Sequence, residues 1–177
     1  MDLFAHHIRT IDGALEKDFC QHLIDKFKTE EEEQICISSR EDWSEEDSVL
    51  EESINEYAGR YFEFIKKSYS ELKPYPVLFD GENYQDGGYY IRKYEPGRSF
   101  DWHQDFAVHG NSATVLSIIW YLNTVEDGGE TEFANGLKIQ PEVGKILIFP
   151  ATWTYVNKSA PPTSENKYEI ASFITGE

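Results

Sequence analysis

From about residue 75 to its end the chain is written in short segments. No other feature limits the folds open to it as much. "YYIRKY", "SFDWHQDF", "TVLSIIWYL", "TEF", "LKI", "KILIFP" and "KYEIASFI" are rich in aromatic and β-branched residues, and Gly, Pro or Asn turns separate them. Short strands at such spacing point to an all-β sandwich or barrel. "EPGR" (95–98) puts Pro second and Gly third, the preference of a type II turn. It predicts a hairpin between "YYIRKY" and "SFDWHQDF". "VLSIIWYL" is apolar on both faces, which predicts a central strand covered on both sides.

The cover comes from the other half. In "DGALEKDFCQHLIDKFK", Phe19, Leu23 and Phe27 recur at four-residue steps beside Cys20 and Ile24, one apolar helical face. A second helix is predicted from Asp47, with Leu50, Ile54, Tyr57, Tyr61 and Ile65 as its stripe and Lys73-Pro74 as its stop. Between them, the charged stretch "SSREDWSEED" reads as a solvated loop. Trp43 inside it is a packing anchor or part of a lid, and the anchor is the better reading. No repeat or linker divides the 177 residues. They are expected to form one domain, 1–177, with helical support over about 12–72 and a β core over about 75–177.

Charge narrows the function. The chain carries 33 acidic and 16 basic residues, a formal net charge of −17. Such a surface repels phosphate backbones and anionic lipids, so neither nucleic acid nor a membrane surface is an expected partner. No apolar run approaches the ~18 residues of a membrane helix. "MDLFAHHIRT" lacks the pattern of a signal peptide, and Cys20 and Cys36 fit free thiols better than a disulfide framework. A cytoplasmic location is the expectation. Nothing in the sequence fixes the oligomeric state.

The chemistry gathers in "SFDWHQDFAVHG" (99–110). His103 and Asp105, two apart on a strand, would project to one face, ~7 Å apart along the backbone. Imidazole plus carboxylate suits a divalent ion such as Fe(II). Alone the pair is weak evidence, since most such pairs are polar surface neighbours. His109 lies six residues beyond His103, about 20 Å along a straight strand. It reads as a loop histidine.

The order of motifs around that pair is more specific. "KYEPGRSFDWHQD", "SIIWYLNTVEDGGETEF" and "VGKILIFPATWTYVNKSAPPTSENKY" resemble, over about residues 85–175, the prolyl 4-hydroxylase-like branch of the 2-oxoglutarate- and Fe(II)-dependent dioxygenases. That family's pattern is Tyr-x-x-Gly, His-x-Asp, Gly-Gly-Glu-Thr, a Phe-Pro strand end, a distal His, and a Lys ten residues later. The resemblance implies a mostly β fold, a double-stranded β-helix or jelly roll, flanked by N-terminal α-helices. It implies Fe(II) as metal, 2-oxoglutarate as co-substrate, and room for ascorbate as accessory reductant. It also implies a peptide, protein or amino-acid substrate, hydroxylated at a prolyl or other residue. By position His103 and Asp105 match the first two metal ligands. Tyr94, Thr131 and Lys167 match the residues that hold the co-substrate's distal carboxylate. A carboxylate inside a barrel must be paired; an ammonium and two hydroxyls can do this. As isolated residues the three would read as a solvated lysine, a core tyrosine and a strand threonine. "GGE" (128–130) reads as structural.

The sequence departs from the pattern where the distal histidine is expected. Ten residues before Lys167 stands Asn157, and no histidine follows His109. His6, His7 and His22 lie before or in the first helix and are poor candidates. The matched metal set is therefore His103, Asp105 and Asn157. An amide oxygen is neutral and hard, better suited to Ca²⁺ or Mg²⁺ than to replacing imidazole on iron. Three readings stay open: a weak third ligand in a working enzyme, a different metal or a water in the gap, or a catalytically impaired or non-catalytic binding or regulatory domain on the same fold. The retained Tyr94, Thr131 and Lys167 favour the dioxygenase, with the impaired domain as the alternative. Two departures touch the substrate side. Thr114 stands where many peptide-acting relatives carry arginine, and Phe173 where a tryptophan is usual. Trp102 and Trp153 belong to the mouth or to the core.

Overall fold

The computed structural model describes residues 3–30, 32, 34–69 and 84–176. Among these, the helices are α1 (Leu3–His6), α2 (Lys17–Phe27) and α3 (Ser44–Ser68). The strands are β1 (Arg9–Ile11), β2 (Gln34–Cys36), β3 (Tyr84–Asp86), β4 (Tyr90–Tyr94), β5 (Phe100–His103), β6 (Val108–His109), β7 (Ser112–Tyr121), β8 (Thr131–Phe133), β9 (Lys138–Ile139), β10 (Ile146–Pro150), β11 (Asn157–Ser159) and β12 (Lys167–Gly176). No helix among the described residues is long and apolar enough to cross a membrane.

Helix α2 buries Cys20, Leu23, Ile24 and Phe27, the face its spacing predicts. Helix α3 starts at Ser44, three residues before the expected Asp47. Glu45, Glu46 and Asp47 fill its first turn and Lys66 and Lys67 its last, matching the helix dipole at both ends. It buries Leu50, Ser53, Ile54, Ala58 and Tyr61. The predicted stop at Lys73-Pro74 lies outside the described residues. Trp43 is fully buried just before α3, so the anchor reading holds. Beside it, buried Glu46 takes Lys26 Nζ at 2.9 Å and His22 Nε2 at 2.7 Å.

The strands form two antiparallel sheets. The larger runs β1-β10-β7-β12-β4-β2, with β3 added to β12 and β6 to β7; the smaller runs β5-β11-β8-β9. They face each other as a double-stranded β-helix, the expected jelly roll. Strand β7 is covered on both faces as predicted, but the helices cover only one of them and the smaller sheet covers the other. Leu116, Ile118 and Trp120 pack with Leu23, Phe27, Leu50 and Ile54 of the helices. Tyr121, next on the opposite face, packs between the sheets with Phe133, Leu147 and Phe149. Trp120 Nε1 donates to Ser53 Oγ at 3.0 Å, so the indole N–H is satisfied where it is buried.

One local expectation fails. The "EPGR" turn forms, with Gly97 at φ +81° and Arg98 N–H donating to Glu95 O at 2.8 Å. It does not close a hairpin. Both edges of β4 are already paired, to β12 and β2, and its backbone groups have no bonds left to give. The chain therefore crosses to the other sheet, where β5 pairs with β11. This crossing sets His103 opposite the inward face of the large sheet.

Candidate metal and co-substrate pocket

The space between the sheets opens at one end. Arg92, Tyr94, Phe100, His103, Asp105 and Ser117 line it, with Thr131, Asn157, Ser159 and Glu169 deeper or across from them. Inward residues follow strand alternation. Strand β12 contributes Glu169 and Phe173, β4 contributes Arg92 and Tyr94, and β11 contributes Asn157 and Ser159.

The metal-matched residues come together. Strand β5 ends at His103, not at Phe106 as predicted, and Asp105 lies in the irregular stretch after it. The pair still converges: His103 Nε2 is 3.4 Å from Asp105 Oδ1. His103 Nδ1 is 2.7 Å from Asp101 O. A backbone carbonyl there fixes Nδ1 as the donor and turns Nε2 into the pocket, the arrangement of a ligating histidine. Burial works against a charged His103, but the bonds to Asp105 and to Asp101 O outweigh it and hold its pKa above the usual value. Burial likewise pushes the Asp105 carboxyl up. His103, Ser117 and Asn157 around it outweigh this, and its pKa lies below the ordinary carboxylate value.

Asn157 is directly opposite His103 across the β5–β11 pair. The sequence count thus leads to a residue that the fold sets beside His103 and Asp105. Its Nδ2 is 3.2 Å from Asp105 Oδ2 and 3.3 Å from Tyr155 O. The amide thus turns its donors, not its oxygen, toward the carboxylate. Among the described residues no third His, Cys, Asp or Glu joins His103 and Asp105. His109 pairs through its backbone with Ser112 in a separate β6–β7 hairpin. His7 bonds Tyr69 and His22 bonds Glu46, neither in the pocket. A divalent cation fits two side chains here; at the third place Asn157 offers it a lone pair only if its amide turns over to present Oδ1.

Tyr94, Thr131 and Lys167 also share this interior. All three are buried, Lys167 completely. Lys167 Nζ donates to Ser159 Oγ at 2.7 Å and lies over the rings of Tyr94 and Tyr121, 5.2 Å and 5.4 Å from their centroids. Thr131 Oγ1 is 2.7 Å from the Tyr121 hydroxyl. Burial raises the Tyr94 and Tyr121 hydroxyl pKa values well above the usual range, so both stay neutral donors. The sequence reading missed the group at the centre of this set, Glu169. Its carboxylate is 2.8 Å from Lys167 Nζ and accepts from the Tyr94 hydroxyl at 3.1 Å. Burial opposes its charge, yet Lys167 and Arg92 outweigh that and hold its pKa below the ordinary range. Strand parity was the available signal: two residues after an inward Lys167, Glu169 must also face inward. The same rule, counted back from Tyr94, finds Arg92. As built, these residues do not fit the distal carboxylate of 2-oxoglutarate, because a carboxylate of the chain already stands among its donors.

Phe100, on the pocket wall, and Trp102 are each 47% exposed and Trp153 is 72% exposed, so neither tryptophan belongs to the core. Trp102 lies under Lys158 Nζ, on the side of β5 opposite the inward His103, and neither tryptophan lines the pocket. Phe100 meets His103 edge-on at 4.4 Å. Thr114 is buried, and Phe173 lies on the pocket wall.

Residues 89–175 match the family described as the 2OG-Fe(II) oxygenase superfamily. No curated protein matches the chain. Its structure is similar to that of the viral collagen prolyl hydroxylase vCPH from Paramecium Bursaria Chlorella virus-1 in its 2OG complex. The TM-score is 0.72 at 19% identity, covering 97% of this chain and 96% of that one. It is also similar to a Pseudomonas putida prolyl-4-hydroxylase, with a TM-score of 0.62 at 17% identity, covering 99% of this chain and 96% of that one. At such identities the likeness is one of fold.

Proposed function

We propose that this chain, whose residues 89–175 match the 2OG-Fe(II) oxygenase superfamily, is a catalytically impaired member of it. In this reading it binds a divalent cation weakly at His103 and Asp105 and takes a peptide, protein or amino-acid ligand at the pocket, beside Phe100 and Phe173, without turning it over. The observation that carries this reading is the amide of Asn157, which donates to Asp105 from the position where a third ligand would offer a lone pair. Removing even a partner of a metal ligand commonly costs ~10–100-fold in affinity, and losing a ligand costs at least that.

A second reading is a 2-oxoglutarate- and Fe(II)-dependent hydroxylase of a prolyl or other amino-acid residue, with Asn157 as a weak third ligand. Tyr94 and Thr131 in one interior with His103 and Asp105, with Lys167 beneath them, favour it, and Glu169 paired to Lys167 and Tyr94 counts against it. In that reading iron supplies the oxidising chemistry when bound. His103 and Asp105 would hold the cation, and Phe100 and Phe173 on the pocket wall would meet the substrate.

One experiment separates the two. Mn(II) binding is followed by electron paramagnetic resonance for the intact chain and for Asn157→His. Oxygen uptake is followed with Fe(II), 2-oxoglutarate and ascorbate. The first reading expects weak Mn(II) binding, a gain of ~10–100-fold in the variant, and no co-substrate-dependent uptake by the intact chain. Uptake above background by the intact chain would establish the second reading. An unchanged Mn(II) affinity in Asn157→His would remove position 157 from the metal site.

A further inference from the structure

We infer that Glu169 occupies the seat assigned to the distal carboxylate of 2-oxoglutarate, so that this chain excludes the co-substrate until that side chain is removed. The inference rests on the reading that places Tyr94, Thr131 and Lys167 at that seat.

Lys167 and Glu169 are two apart on β12, and both are buried, at 0% and 2% exposure. A buried ammonium needs its positive charge and its three hydrogens satisfied. Here Ser159 Oγ accepts one hydrogen at 2.7 Å, and the Glu169 carboxylate stands 2.8 Å away. The Tyr94 hydroxyl donates to the other carboxylate oxygen at 3.1 Å. Thr131, the remaining seat hydroxyl, is paired with Tyr121. The cation and both hydroxyls of the seat are thus engaged within the chain, two of them by one carboxylate.

An entering dicarboxylate would find Lys167 already neutralised. It would also bring a like charge to contact range of Glu169 at a site with little water to screen it. Arg92 offers limited relief. It faces Glu169 across the β4–β12 pair, and its Nε donates to Gln34 Oε1 at 2.9 Å. The bulk of Glu169 adds to the charge, since its side chain lies in the space such a carboxylate would need.

Removing the side chain should reverse both effects. In Glu169→Ala, Lys167 becomes a buried cation without a counter-ion, beside a gap the size of a carboxylate. A free dicarboxylate can then restore the missing charge.

Calorimetric titration with 2-oxoglutarate and with succinate, in the presence of Mn(II), tests this without turnover. The intact chain is expected to show no saturable binding up to millimolar concentration. Glu169→Ala is expected to bind both acids at least ~100-fold more tightly, as removal of a contact-range like charge implies. Its melting temperature should also rise on adding either acid, while that of the intact chain stays fixed. Glu169→Gln keeps an acceptor for Tyr94, which guards against a failure to fold. Its neutral side chain, no longer ion-paired to Lys167, can be pushed aside by an entering acid, so a gain of about tenfold is expected from the lost charge, below that of Glu169→Ala. Micromolar binding by the intact chain overturns the role of Glu169 and leaves Lys167 at the seat. If the folded variants gain no affinity for either acid, the seat itself is misplaced. Both titrations are repeated without Mn(II), so that each result is read apart from what the metal site does.

Discussion

Asn157 faces His103 directly across the β5–β11 pair, and its amide nitrogen lies 3.2 Å from Asp105 Oδ2. The asparagine thus stitches together the two residues that match metal ligands. Asp105 also accepts from Ser117 Oγ at 2.7 Å. Its carboxylate is held from three sides, by an imidazole, a hydroxyl and an amide.

Asn157→Ala should therefore act on Asp105 before it acts on any metal. Loss of one buried hydrogen bond to a charged group costs about 1.5–3 kcal/mol. The Asp105 carboxyl should titrate closer to its ordinary value. Chemical denaturation and carboxyl NMR titration measure the two effects. A variant with unchanged stability and an unchanged Asp105 titration would show that the amide contributes nothing to the site.

The pairing of Lys167 with Glu169 predicts strong non-additivity. Lys167→Met leaves the Glu169 carboxylate without its nearest cation, with only Arg92 and the Tyr94 hydroxyl to offset its charge, and Glu169→Leu leaves the Lys167 ammonium without a counter-ion. Breaking a buried pair from one side costs about 3–5 kcal/mol. Replacing both by apolar residues of similar size is often near neutral. The double variant should thus be more stable than either single one, by urea unfolding. Losses that simply add would mean that the two charges do not depend on each other.

The fold was legible where burial repeats with a period, and less so where pairing partners decide. The apolar faces of α2 and α3 and the two-sided β7 follow from spacing, because each must bury one stripe or two faces. The hairpin from "EPGR" was a false lead. Local turn chemistry is right there, but β2 and β12 already take both edges of β4. Five of the six candidate site residues line the pocket, and Lys167 lies beneath it, touching Ser159 and Glu169. Motif order carried that result. Glu169 and Arg92 escaped because they lie between motif positions, where only strand parity marks them as inward.

Acid stability should depend on Glu46. Burial pushes its carboxyl up, but His22 and Lys26 outweigh this and hold the pKa below the ordinary range. A depressed folded-state value means that the pair stabilises the protein above the unfolded pKa of about 4.3, and that this contribution fades as pH falls through the folded value. Stability should thus decline as pH drops below about 4.3. Glu46→Gln should lose about 2 kcal/mol at neutral pH and show a shallower acid decline. Melting curves from pH 7 to 3 check this. An identical pH slope in the variant would assign the acid sensitivity elsewhere.

The turn before Thr131 offers a positional test of how the pocket is held. Gly128 has φ +76°, and a Cβ there would come within 2.4 Å of Pro161 O. Gly129 N–H donates to that same oxygen at 3.1 Å, and Gly128 pairs with Pro162. The segment leading to Thr131 is thus clasped to the loop leading to Lys167. Gly97 also has positive φ, +81°, but nothing lies within 4 Å of its would-be Cβ. Gly97→Ala therefore meets only the left-handed backbone penalty, about 1–2 kcal/mol. Gly128→Ala meets that penalty and a backbone clash that must push the clasp apart, so its loss should exceed that of Gly97→Ala by about 1–3 kcal/mol. It should also perturb the Tyr121–Thr131 contact, visible as a shifted tyrosine hydroxyl environment in NMR or ultraviolet difference spectra. Equal losses in the two variants would mean that the clasp yields freely and that Thr131 is positioned by its sheet neighbours alone.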